Sequence, residues 1–274
     1  MFLPRPNPAN LLSMSEVKQP QVPVFPAPVL ADLLPGVVCG FSGNLSYNSL
    51  ATYPSAVEHV LDPLGVKLEE SVFLAQPHGP EVLFFGKNLE TSVPRDDNGF
   101  LVGFDGAAST MEAGGVMTVR SADCVPILAV DPESGGYAAL HAGWRGTAAG
   151  ILPNLLQGWR SRGSSLSQVK LALGPGIAPC CFEVGPECLA AFSQAHLVDA
   201  VMSMGDRFHL DLHRVLITQA THWGVASDHI ETLSQCTRCY MEGNHHPLAS
   251  YRRAQQQGTP TEGRNVSFIG IARS

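Results

Sequence analysis

SADCVPILAVDPESGGYAALHAGWRGT, residues 121–147, decides how this chain is read. Asp123 and Cys124 precede the strand-like run PILAV, DPESGG supplies turn residues, and YAAL leads a second strand into His141. A tight hairpin of this kind sets a thiol and an imidazole side by side at the ends of two apolar strands. If QPHG, residues 76–79, ends another strand nearby, His78 adds a third ligand. The set would then be His, Cys and His with an open fourth position, as in catalytic zinc sites.

Working outward, further short β-type runs lie at residues 37–42, 71–76, 81–86, 115–121, 169–174 and 265–271, each bounded by Gly, Pro, Asp, Asn or a charged residue. Helical candidates fall at residues 55–64, 186–195 and 212–223, and after Gly146, where Ile151, Leu152, Leu155, Leu156 and Trp159 mark one apolar face. Pro153 inside that pattern must sit in the first helical turn or bend the helix. Strands in groups with helices between the groups predict an α+β fold, a single domain over residues 31–274 after a Pro-rich, partly disordered lead over residues 1–30. That lead holds seven prolines and no apolar run long enough for a signal peptide or a membrane span. Met14 is an alternative start.

The chain has 274 residues, 45% apolar and 15% charged, with a formal net charge of -7 and no basic block. Such a balance disfavours nucleic acid and anionic membranes as partners and suits a small molecule held by local arginines. Seven cysteines, an odd number with one adjacent pair, point to reduced thiols and a cytoplasmic location. Neither G-x-G-x-x-G after a strand nor a Walker A sequence is present.

Each candidate residue has a bland reading beside the chemical one. A lone His78 is more often a satisfied structural group, and a lone Cys124 usually packs. The spacings, 46 residues from His78 to Cys124 and 17 from Cys124 to His141, match no zinc finger and suit a site gathered from several strand ends. The rival reading makes Cys124 a nucleophile with His141 as its base, the arrangement of a cysteine hydrolase or amidase. Asp123 either takes part in proton transfer or braces the turn, since alternation along a strand turns it away from Cys124. Arg145, between Gly143 and Gly146, lies where a strand turns into a helix, a place that offers backbone N–H groups and a planar fork to an anion. Of the adjacent Arg252 and Arg253, at most one faces the site; that one and Arg264 are further phosphate candidates. Cys236 and Cys239 form half of a metal knuckle with no second C-x-x-C, and the adjacent Cys180 and Cys181 read as unable to share an ion, so Cys236 is taken as structural. A redox copper protein is the weaker reading, because no His-x-His pair supplies clustered imidazoles.

ADCVP at 122–126, HAGWRGT at 141–147, LGPGIAPCCFEVG at 173–185, SQCT at 234–237, SYRR at 250–253 and GR at 263–264 follow the order seen in the YfiH/LACC1 family, which the sequence resembles from about residue 37 to residue 271. The resemblance implies mixed β-sheets packed together and flanked by helices. It also implies zinc held by His78, Cys124 and His141, and phosphorolysis of adenosine, inosine and methylthioadenosine, with adenosine deaminase activity beside it. Cys124, His141 and Asp123 would serve catalysis, and Asn44, Arg145, Arg253 and Arg264 would bind the substrates, a purine nucleoside and phosphate. The early segment departs from the family: Asn44-Leu45 is kept, but the Gly-Gly loop is missing, Ala51 or Thr52 stands in place of an Asp, and His59-Val60 in place of an Asn-Arg pair.

Overall fold

The computed structural model describes residues 23–30, 33–47, 49–86, 93–204, 206–260 and 263–271; most of the Pro-rich lead lies outside them. Two sheets and their helices are stacked in layers. The six-stranded sheet has the order Ile230–Thr232, Lys170–Leu173, Val125–Asp131, Gly136–Ala142, Gly106–Thr110, Val82–Phe84. Its centre is the hairpin expected from residues 121–147, paired antiparallel with Pro126 opposite His141. Asp131 closes the turn by accepting from the Glu133 amide at 3.1 Å, and Gly135 supplies the left-handed residue at φ 67. Every residue of both strands is buried, so both faces of this sheet must be covered.

One face meets helices. Ile127, Ala129, Ala138 and Leu140 pack on Ile151–Arg160, which buries the expected stripe of Ile151, Leu152, Leu155, Leu156 and Trp159, and on Leu212–His222. Pro153 is the third helical residue, in the first turn, where its missing N–H costs no intrahelical bond. At about 1.5–3 kcal/mol for each large apolar side chain buried, the five-residue stripe is the main reason this helix docks.

The other face meets a five-stranded sheet of order Val24–Phe25, Val37–Leu45, Arg264–Ile271, Val116–Ser121, Ser71–Val72. Leu128, Val130, Tyr137 and Ala139 interlock with Phe41, Met117, Val119 and Ile269. The far side of that sheet is covered by Tyr53–Leu61, whose Tyr53, Val57 and Leu61 pack on Val266 and Phe268. The architecture is thus mixed β-sheets packed face to face and flanked by helices, as expected. Several elements differ from the sequence reading, and the helix expected at residues 186–195 ends at Ala190. Gly106–Thr110 is a strand, Val201–Met204 and Arg207–Leu210 form an antiparallel hairpin, and SYRR opens a helix at Tyr251 that is capped by Ser250. Among the described residues no helix is long and apolar enough to cross a membrane.

Candidate metal centre and substrate cavity

The hairpin delivers His141 at the end of one central strand and Cys124 just before the other, and the loop after the bridge residue Leu74 brings in His78. One ligand atom from each of the three lies within 4.8 Å of the others. The two imidazoles meet edge to face with centroids 4.8 Å apart, and His141 is buried while His78 is exposed. Gly143 leaves room for the set: a Cβ there would stand 3.0 Å from Cys124 Sγ and 3.1 Å from the His78 ring. Gly146 has another task, since its Cβ would stand 2.7 Å from the Gly79 carbonyl oxygen. The two glycines thus let this turn close on Cys124 and on the His78–Gly79 loop.

Asp105, which the sequence reading missed, organises the centre. It is fully buried; Oδ1 accepts from His141 Nδ1 at 2.8 Å and from the His78 amide at 3.0 Å, and Oδ2 accepts from the Gly79 amide at 2.7 Å. One carboxylate thus fixes the His141 tautomer, with its Nε2 free for a ligand role, and ties down the His78 backbone, which sits at φ 68. Left-handed backbone at a histidine costs free energy and persists where the surroundings hold it, as these two amide bonds do.

Burial alone would raise the Cys124 thiol, but the charge of His141 beside it and hydrogen bonds from both histidines outweigh that and bring it down to about 6. Burial would likewise pull His141 down, yet the Cys124 thiolate and the Asp105 carboxylate lift it to about 9. Without metal the pair therefore holds a thiolate against an imidazolium near neutral pH. In metal-free protein, alkylation of Cys124 should accelerate as pH rises through about 6, because the thiolate is the nucleophile. Mass-mapped iodoacetamide labelling checks this; a midpoint near the ordinary thiol value of about 8.5 would contradict the pairing.

The three ligand candidates open onto a cavity of about 500 Å³, within the usual range for small-molecule sites. Its walls include Trp144, Phe182 and Tyr251, and four arginines, Arg120, Arg145, Arg252 and Arg264. Arg145 is exposed and lies over the Trp144 ring at 4.3 Å. Its helix, Trp144–Ala149, is only six residues long, so the guanidinium is the feature able to hold an anion there. Arg120 is anchored by its Nη2, which donates to the Ala75 carbonyl at 2.9 Å, and stands 4.8 Å from the Phe100 ring centroid.

Two of the residues expected at the substrate do not line this cavity. Arg253 turns away from this cavity and donates to the carbonyls of Thr237, Arg238 and Leu248, because the Ser250 cap starts the helix so that Arg252, one residue earlier, faces the cavity. Asn44 lines a separate cleft of about 290 Å³ together with Arg253. Asp123, at φ 98, lines the main cavity, but its carboxylate accepts from Thr237 Oγ1 at 2.7 Å and the Arg252 amide at 2.6 Å. Both oxygens are thus engaged in bracing the cavity wall. His209 and His213 bond the Pro179 and Gly174 carbonyls, respectively, apart from the centre.

The family model described as multi-copper polyphenol oxidoreductase laccase matches residues 50–272. The chain is 33% identical over 180 residues to adenosine deaminase RL5 from an unknown prokaryotic organism, covering 64% of this chain and 68% of that protein. It is 31% identical over 212 residues to the purine nucleoside phosphorylase YlmD of Geobacillus stearothermophilus, covering 76% and 74%. The crystal structure of YlmD from Geobacillus stearothermophilus superposes with a TM-score of 0.75 at 27% identity, covering 89% of this chain and 94% of that one. With a family model matched over most of its length, the chain belongs to the YfiH family, whose named relatives process purine nucleosides.

Proposed function

We propose that the chain is a zinc-dependent purine nucleoside phosphorylase acting on adenosine, inosine and methylthioadenosine, with adenosine deamination as an accompanying reaction. The observation that carries this reading is the juxtaposition of His78, Cys124 and His141 with an arginine-rimmed cavity. Two imidazoles and a thiolate suit zinc, Gly143 leaves room for Cys124 and His78, and the Asp105–His141 pair is the outer support that zinc-bound histidines use. Copper suits the set less well, since multicopper chemistry draws on clustered imidazoles. Zinc in such a position supplies Lewis acidity toward a hydroxyl or water.

The remaining work falls to the chain itself. In phosphorolysis an oxygen of phosphate bonds to the anomeric carbon as the carbon–nitrogen bond to the base breaks. Arg145, with Arg252 and Arg264, which line the same cavity, would hold the attacking dianion and offset its charge. Phe182, Trp144 and Tyr251 offer flat apolar surface to a purine. Asp105 keeps the Nδ1 proton of His141 in place throughout.

Arg145→Ala tests the anion site. A charge-assisted contact contributes about 1.5–3 kcal/mol, so the apparent affinity for phosphate should fall by roughly tenfold to a hundredfold while the metal stays bound. Arg145→Lys should recover only part, since an ammonium cannot reproduce the bidentate fork. Steady-state kinetics on adenosine with varied phosphate decide it; an unchanged phosphate dependence would move the anion to Arg252 or Arg264.

One observation favours a second reading. Cys124, His141 and Asp105 stand in the order nucleophile, base and orienting carboxylate, with the Cys124 thiol depressed to about 6, as a cysteine hydrolase or amidase requires. Such an enzyme would keep its activity after chelation, whereas the zinc enzyme would lose it.

A further inference from the structure

We propose that Cys180, Cys181, Cys236 and Cys239 form a second metal site, a four-thiolate centre for zinc that braces the wall of the substrate cavity. Their four sulfurs all lie within 4.8 Å of one another, with Cys180 Sγ 3.6 Å from Cys181 Sγ and 3.7 Å from Cys239 Sγ. Tetrahedral zinc with bonds of about 2.3 Å places its sulfurs about 3.8 Å apart, so the thiols already stand near the spacing the ion would impose.

The backbone explains why the sequence reading went the other way. Adjacent cysteines on a strand diverge, but Cys180 and Cys181 sit on a turn in which the Ala178 carbonyl accepts from the amides of Cys181 at 2.9 Å and Phe182 at 3.0 Å, and both sulfurs face the same side. C-T-R-C makes a second turn, with the Tyr240 amide donating to the Cys236 carbonyl at 2.9 Å. A bridge between Gly176 and Cys236 sets the two turns against each other. The missing half of the knuckle is therefore the Cys180-Cys181 turn.

A second feature points to bound thiolates. The Ala178 amide donates to Cys236 Sγ at 3.4 Å, and Arg238 Nη1 donates to Cys181 Sγ at 3.5 Å. Donors aimed at sulfur stabilise its anionic form. Arg252 also reaches this region, donating to the Cys181 carbonyl at 3.5 Å and the Glu183 carbonyl at 3.1 Å, and Arg253 holds the carbonyls of Thr237 and Arg238. Positive charge thus surrounds what four thiolates on one divalent cation would make a net dianion. Soft thiolates without nitrogen or oxygen ligands select zinc-type ions over magnesium or calcium.

The location gives the ion a task. Thr237, inside the C-T-R-C turn, donates to Asp123, which in turn holds the Arg252 amide, and Phe182 follows Cys181 directly into the cavity wall. Closing the four sulfurs on one ion would fix both turns, and through them Asp123, Arg252 and Phe182.

The test is metal stoichiometry with cobalt as a spectroscopic stand-in. His141→Ala, which lacks a ligand of the other centre, is stripped of metal under reducing conditions and titrated with cobalt(II). It should take up one equivalent and develop the intense thiolate-to-cobalt charge transfer and the tetrahedral d–d bands of a four-sulfur site. Adding Cys180→Ser and Cys239→Ser to that variant should abolish them. Should these variants fail to fold, metal-free wild-type protein serves: zinc should protect Cys180, Cys181, Cys236 and Cys239 from mass-mapped alkylation. Absence of four-sulfur absorption, alkylation of these cysteines unaffected by zinc, or a disulfide among them in fully metal-loaded protein would each overturn the proposal. Loss of activity in His141→Ala bears only on the histidine centre, so the two sites fail separately.

Discussion

Cys124→Ala and His141→Ala are each expected to release the metal from the histidine centre and to abolish nucleoside turnover. Either change leaves two protein ligands where catalytic zinc ordinarily has three. His141→Ala carries an added cost, because it strips the buried Asp105 carboxylate of its 2.8 Å partner. The carboxylate keeps its two amide donors but loses a hydrogen bond to a charged group, of about 1.5–3 kcal/mol, so this variant should also melt at lower temperature than Cys124→Ala. Metal analysis of both proteins, with scanning calorimetry alongside, makes the check. Retention of a full equivalent at this centre in both variants would sink the site.

Asp105→Asn is expected to weaken metal binding by roughly 10–100-fold without removing any ligand. The carboxylate accepts from three N–H groups through two oxygens, and an asparagine has one oxygen and an amino group. Whichever way the amide turns, its amino group faces either the Gly79 amide or the pair formed by the His78 amide and His141 Nδ1. The conflict would loosen both histidines together. Competition with a chromogenic chelator reads the affinity directly; an affinity within about twofold of wild type would show that Asp105 does not support the centre.

The central hairpin was legible in the sequence because the apolar runs PILAV and YAAL flank the turn residues DPESGG, and burial on both faces calls for such runs. Its ends fixed where Cys124 and His141 would lie. The strand Gly106–Thr110 was not legible: Gly, Ala, Ala, Ser and Thr carry little of the branched or aromatic bulk that marks a strand, and small residues suit this position because Gly106 lies against the Leu140 side chain. Missing that strand meant missing Asp105 at its start. The faint signal available was a lone Asp ahead of a run of small, uncharged residues. Of the adjacent Arg252 and Arg253 only Arg252 lines the cavity, and which of the two does so depends on the Ser250 cap, a matter of helix phase that adjacency does not reveal. The four-cysteine cluster joins turns far apart in the chain, and local spacing rules find only one half of it.

The proposed activity is phosphate-dependent cleavage at a zinc centre, and its most direct test is turnover of adenosine and inosine by purified protein with phosphate and metal varied independently. It predicts free purine and sugar phosphate in equal amounts, at a rate that saturates with phosphate, falls on chelation and returns with added zinc. Base release that ignores both phosphate and chelation, or none from protein carrying its full zinc, would contradict it.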